Sequence, residues 1–253
     1  MRFRGLIAAI VTSALCVGQV HAQQKNKSGA AWPRGQYAAL EALPDWGGIW
    51  TLKFPPPGSR ERPVLKGQYR KDYEAWRKIV ETHNGVAPRS GSNCQPPGMP
   101  GIMGVGQYPI EFMFTPGRIT THHEAWMQWR IIYTDGRPHP APDDFDPSFY
   151  GHSVGKWEGD TLVVDTIGIK DSIPLGQGMK HSARLHVTER MHLAKDDPET
   201  LIVEMTVEDP EALEKPWQLT HTFTRSRDTE LIEFICAEND RNPVDESGHT
   251  QFE

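Results

Sequence analysis

The chain lacks most of the features that announce a function. It has three cysteines in 253 residues, no H-E-x-x-H and no Cys/His cluster at zinc spacing. There is no dinucleotide fingerprint, and the glycine- and proline-rich run at 96–106 lacks the Lys-Ser/Thr ending of a phosphate cradle. No nucleotide, flavin or metal cofactor is therefore expected. Positive charge is also short: 27 Lys and Arg stand against 33 Asp and Glu, and the basic residues are scattered. That balance excludes a nucleic-acid partner. Long apolar runs are missing as well. The only extended one, 6–17, follows Arg2 and Arg4 and leads to Val20, His21 and Ala22, the pattern of a secretory leader cleaved near Ala22. It is too short to span a membrane, and Leu15 is a poor residue before a lipidated Cys16.

Residues 1–22 are therefore read as a signal peptide and the remainder as periplasmic or secreted. Losing Arg2 and Arg4 takes the formal net charge from −6 to −8. Cys94 and Cys236 remain, and in an oxidising compartment they are expected to pair, stapling an N-terminal loop to the last strand. Two buried free thiols are the alternative.

Residues 23–109 read as an N-terminal segment. It holds a short strand within 44–52, a helix at about 64–82 and a Gly/Pro-rich loop at 90–109. Leu65, Tyr69, Tyr73, Trp76 and Val80 recur at helical spacing, so the helix carries an apolar stripe that must plug or flank something. From Ile110 the texture changes. IEFMFT, RITTHHEAWMQWRIIYT, DTLVVDTIGI, ARLHVTERMHL, TLIVEMTVE, WQLTHTFTRS and TELIEFICAE are all strand-like and are separated by turn residues. Strands in succession with almost no helix predict a mainly β, antiparallel barrel or sandwich over 110–253, forming one domain with 44–109.

GHSVG at 151–155 matches the Gly-x-Ser-x-Gly elbow of serine hydrolases. An elbow needs a strand before it and a helix after it. Here a tight turn and another strand follow, so Ser153 is a poor nucleophile and a hydrolase ranks third. The strand reading of 118–134 places His122, Glu124, Trp126, Gln128 and Arg130 on one face, with Trp129 and Tyr133 on the other. The polar row is either solvated or lines a polar cavity. Asp165 and Glu189 interrupt apolar rows, which is costly unless each is paired, and Arg130 and Arg184 are the evident partners. His186 and His192 share a face but lie about 20 Å apart at strand rise, too far for a common ion.

Several segments together resemble a family. GHSVGKWEGDTLVVDTIGI, with RIIYTDGRPHP before it and HSARLHVTER after it, is similar to an exported, mostly uncharacterised bacterial family marked by GHSxGxWEGDTLVVDT. NCQPPGMP, YPIEFMFTPGR, DPEALEKPW and EFICAEN fit the same pattern, so the likeness covers most of 44–241. It implies a calycin-like (lipocalin-like) barrel in bacteria that consume plant aromatics, and some members resemble cofactor-independent lyases of lignin-type phenolic dimers. The matching segments include Glu124, Arg130, Tyr133, Asp135, Arg137, His139, His152, Asp165, His181 and Glu189.

Chemistry assigns the roles. His181 or His152 is the expected general acid/base, Tyr133 a phenolic donor to an oxyanion, and Glu124 or Asp165 the carboxylate orienting the histidine. Arg130 is expected to hold a substrate anion, with Trp126 or Trp129 as a cavity wall and Glu189 beside them. The expectation is an exported cofactor-independent lyase acting on a hydrophobic aromatic small molecule. A non-catalytic carrier on the same barrel is the alternative, and a homo-oligomer is compatible with either.

Overall fold

A computed structural model describes residues 36–56, 61–85 and 94–236. The leader expected over 1–22 and the start of the N-terminal segment lie outside those residues. Alternating β-branched, aromatic and polar residues form nine strands: β1 (Ile49–Lys53), β2 (Ile110–Thr115), β3 (Arg118–His123), β4 (Gln128–Tyr133), β5 (His152–Glu158), β6 (Thr161–Ile167), β7 (His186–Ala194), β8 (Asp197–Glu208) and β9 (Trp217–Ser226). They close a barrel in which each strand neighbours the next and β9 returns to β1, from Ile49↔Ser226 to Lys53↔Thr222. Closure leaves no free sheet edge. Of the barrel and the sandwich that the strand pattern allowed, the chain forms the mainly β barrel.

Three features differ from the sequence reading. The barrel is mixed: β4 and β5 run parallel, paired at Ile132↔Ser153 and Tyr133↔Val154. A parallel pair requires a crossover of a dozen or more residues, and the connection 134–151 supplies it. The single strand expected over 118–134 is a hairpin, β3–β4, with Thr121 opposite Arg130 and His122 opposite Trp129. Its turn, Ala125–Met127, uses left-handed backbone at Trp126 (φ 58°) and Met127 (φ 49°), with no glycine or proline to signal it. The shared row from His122 to Arg130 is therefore broken. His122 faces outward and Arg130 inward, Arg130 being 1% exposed. Finally, 229–235 form no strand. The Cys94–Cys236 disulfide, with Cα atoms 5.6 Å apart, joins the Gly/Pro loop to the chain beyond β9 rather than to a last strand.

Strand alternation fills the interior. Leu162, Val164, Val187, Met191, Leu201, Val203, Met205 and Val207 are all fully buried and belong to one core cluster. At one end Trp46 packs edge-on against Phe112 and Trp157 at centroid distances of 5.2 and 5.4 Å. From Cys94 onward the Gly/Pro loop contributes Met99, Ile102 and Met103 to the same core. The expected helix forms as α1 (Gly67–Thr82) and flanks the barrel: none of its residues is fully buried, and Tyr69 and Tyr73 pack part-buried on the core. Trp76 lies over Gly178, where a Cβ would come within 2.3 Å of the indole. Leu65, just before the helix, bridges to Leu213 between β8 and β9.

Candidate functional site

Four strands, β4 to β7, carry two polar networks on opposite faces because successive side chains alternate. Inward, Arg130 on β4 donates from Nε to Ser153 Oγ (3.2 Å), from Nη1 to Glu189 Oε1 (3.1 Å), and from Nη2 to Thr166 Oγ1 (2.9 Å) and the second Glu189 oxygen. Ser153 Oγ and Thr166 Oγ1 share a further bond of 2.9 Å. Glu189 and Thr166 are fully buried and Ser153 is 1% exposed. The carboxylate expected to need a partner has one, and the Arg130 fork is directed into the barrel core. Ser153 serves that network.

His123 also faces inward. Its Nε2 lies 3.0 Å from Thr121 Oγ1, and its ring stacks near Tyr150 at 6.4 Å. Burial, with the positive charges of Arg130 and His122, drives the His123 pKa down to about 3. Burial likewise pushes the Tyr150 phenol up, and its hydroxyl is buried without a partner among the described residues.

The outward network is different in kind. Asp165 on β6 accepts hydrogen bonds from two imidazoles: His139 Nε2 at 2.7 Å and His186 Nε2 at 2.7 Å. His139 comes from the crossover 134–151, which folds back over this face, and His186 opens β7. The other nitrogen of His139, Nδ1, lies 2.8 Å from His152 Nδ1 at the start of β5. With Asp165 ionised, His139 donates from Nε2, so its Nδ1 accepts from His152 Nδ1–H. That tautomer leaves the lone pair of His152 on Nε2, which has no partner among the described residues. Burial lowers the His152 pKa, and so do the neighbouring His139 and Arg137. The ring is therefore a neutral base at physiological pH.

Aromatic side chains frame it. Tyr133 stacks on His152 at 5.2 Å, and Phe145 lies 6.1 Å away. Phe145 reaches this position over Gly168 (φ 68°), where a Cβ would sit 2.1 Å from the phenyl ring. The Arg137 guanidinium lies 3.9 Å over the Tyr133 ring. It is held by Asp135, whose carboxylates accept from Nε and Nη2 at 2.5–3.0 Å, so Nη1 stays unengaged. The hydrogen bond from Arg137 holds the Asp135 carboxyl below its usual range.

Of the residues singled out by sequence, the structure brings together His152, Tyr133 and Asp165, with Asp135, Arg137 and His139. The others lie elsewhere. His181 is buried in the loop before β7, its Nδ1 2.7 Å from the Ser182 carbonyl, with no hydrogen bond or ring contact to His152. Glu124 accepts from the Ile232 amide (2.9 Å) and pins the segment after β9. Trp126 packs on Tyr108 and Phe234. Trp129 is 52% exposed and stacks on His122 at 3.9 Å. Arg130 and Glu189 are locked together inside.

Sequence reasoning missed His186 as a partner of Asp165, and it missed Phe145. The signal for His186 was diagonal pairing: Asp165 opposes Thr188, two residues from His186 on the same face. Among the described residues no three of His, Cys, Asp and Glu are arranged to hold a metal ion, and no helix is long and apolar enough to cross a membrane. Comparison of the chain with protein-family models and with curated proteins found no match.

Proposed function

We propose that the protein is a cofactor-independent acid–base enzyme whose working group is His152 Nε2, and that its reaction is a lyase cleavage of an oxygenated aromatic small molecule. The observation that carries this reading is the chain Asp165–His139–His152, which fixes the His152 tautomer and leaves an unpaired, accessible nitrogen on a half-buried ring beside two aromatic side chains. A carboxylate that orients an imidazole and stabilises its protonated form is the arrangement proton transfer requires. In such a reaction His152 removes a substrate hydroxyl proton. The electron pair left on oxygen forms a carbonyl as the adjacent carbon–carbon bond breaks, and the departing carbon takes the proton back from His152. Tyr133 and Phe145 stack on the substrate ring, the Tyr133 hydroxyl stabilises the developing oxyanion, and the free Arg137 Nη1 takes the anion-binding role assigned to Arg130 from sequence.

The likeness to the exported family with calycin-like barrels supports the same reading, and the disulfide fits an oxidising compartment. The hydrolase reading loses its basis, since Ser153 Oγ is buried and bonded to Arg130 and Thr166.

The test is turnover of a panel of phenolic dimers and aromatic acids by the disulfide-intact protein, with chelator and no added cofactor, followed by mass spectrometry. Turnover should survive chelator and fall about 100- to 10,000-fold in His152→Gln, while His181→Ala keeps the parent rate. The acid limb of kcat/KM should lie below the usual histidine value of 6.5, because burial lowers the His152 pKa. Full activity in His152→Gln refutes the assignment. Saturable binding without conversion makes the protein a carrier.

A further inference from the structure

Asp165 has a second arm that the chemistry at His152 does not use. His186 donates to it from Nε2 at 2.7 Å and presents Nδ1 to a separate groove of about 490 Å³ between the start of β7 and the 209–216 connection. Lys66, Arg184 and His186 supply positive or protonatable groups to this groove, and Pro210, Leu213 and Pro216 supply an apolar wall.

Three fixed cations, Lys66, Arg184 and Lys215, face three carboxylates, Glu208, Asp209 and Glu214, but most of these groups are engaged elsewhere. Asp209 is already occupied: it accepts from the Ser182 amide (2.6 Å) and hydroxyl (2.8 Å) and from the amides of Glu211 (2.9 Å) and Ala212 (3.0 Å). Burial pushes its carboxyl up, but these bonds outweigh it and keep the group ionised. Glu214 is paired with Arg70, and Lys215 with Glu61 at 2.7 Å. Glu208 faces His186 Nδ1 at 3.6 Å. What remains is Lys66, with no carboxylate partner among the described residues, and Arg184, which meets Glu211 only at 3.8 Å. An unpartnered lysine and an arginine held only by a long bridge to Glu211, beside an imidazole and an apolar wall, match a carboxylate carried on a hydrophobic body: the Arg184 fork exchanges Glu211 for the two oxygens and the prolines take the ring.

We infer that this groove is a second binding site, for a small organic carboxylate, coupled through Asp165 to His152. An anion at Lys66 and Arg184 favours protonation of His186 at Nδ1. The resulting imidazolium, which Glu208 also favours, donates more strongly to Asp165 and withdraws negative charge from His139. His152 then holds its own proton less tightly. By reciprocity, a proton on His152 weakens the anion. The site stands independently of any reaction at His152.

The experiment is NMR on protein labelled with ¹⁵N-histidine, titrated with benzoate at constant ionic strength and, as the uncharged counterpart, with benzyl alcohol. Benzoate should shift the His186 ring nitrogens saturably, benzyl alcohol should not, and Lys66→Ala/Arg184→Ala should weaken binding at least tenfold. Arg184 is 67% exposed and Lys66 is half-buried outside the core, so the variant keeps the fold. On saturation the His152 titration midpoint should move to lower pH, and His139→Gln should abolish that movement while leaving benzoate binding intact. Shifts that do not saturate, that benzyl alcohol reproduces, or that survive the double substitution overturn the site. Saturable binding with an unmoved His152 midpoint overturns the coupling. Neither negative result touches turnover at His152, which the substrate panel tests separately.

Discussion

Replacing Glu189 by alanine isolates the interior network. The substitution leaves a guanidinium that is 1% exposed with only two hydroxyls, Ser153 and Thr166, as acceptors. Removing one partner of a buried pair leaves an uncompensated charge and costs about 3–5 kcal/mol. For a domain of this size each kcal/mol lowers Tm by about 2–4 °C, so Glu189→Ala should melt roughly 10 °C below the parent. The double variant Arg130→Met/Glu189→Leu removes both charges and keeps most of the volume. Ser153 and Thr166 still bond each other at 2.9 Å, so the residual cost should be about 1 kcal/mol. Urea denaturation followed by circular dichroism over the four corners of the cycle, the parent, Arg130→Met, Glu189→Leu and their combination, gives the coupling energy, expected to exceed about 2 kcal/mol in favour of the pair. A single variant within about 1 kcal/mol of the parent, or a double variant no more stable than Glu189→Ala, would show that the pair is not desolvated and refute the reasoning.

Two further predictions concern stability. The disulfide closes a span of 142 residues, so Cys94→Ser/Cys236→Ser should lose about 4–5 kcal/mol on the chain-entropy model. Reductant should lower the urea midpoint of the parent to that of the variant and leave the variant unmoved. His123 is neutral in the fold, with a pKa of about 3 against about 6.5 when unfolded. Between those values the unfolded chain binds the extra proton, so the stability contribution is complete above about pH 6.5. It falls by about 1.4 kcal/mol per pH unit on acidification. His123→Gln should flatten that slope, and an unchanged slope in urea titrations between pH 6 and 4 would place the acid sensitivity elsewhere.

The β strands were legible because period-two alternation survives in nearly every one, and the Cys94–Cys236 pairing because only two cysteines follow the expected leader. The need of Glu189 for an arginine was legible too, since a carboxylate among Leu185, Val187 and Met191 must be paired, though Arg130 and Arg184 were equal candidates until the fold chose Arg130. The hairpin at 125–127 was not, because its left-handed residues are Trp126 and Met127, and neither residue type advertises positive φ. That one omission propagated. Alternation fixes the phase of side chains within a strand but carries no phase across a turn, so the row drawn from His122 through to Arg130 breaks at 125–127, while Trp129 and Tyr133 still share the face of β4 opposite Arg130.

The parallel pair was hidden for a related reason: the sequence shows that 134–151 is long, not where it returns. Its return is what carries His139 over the outer face and joins Asp165 to His152. The same alternation then separates two demands. Ser153 and Thr166 turn inward beside outward His152 and Asp165, so each neighbouring pair divides between the core and the solvent-facing histidines. A charge in the core must be fully bonded or it costs stability, whereas a base must keep one nitrogen unbonded to act. Placing them on opposite faces of the same four strands lets a rigid, satisfied interior hold the outer imidazoles in register. Changes at 130, 153, 166 and 189 should therefore register in folding, and changes at 139, 152, 165 and 186 in titration and turnover.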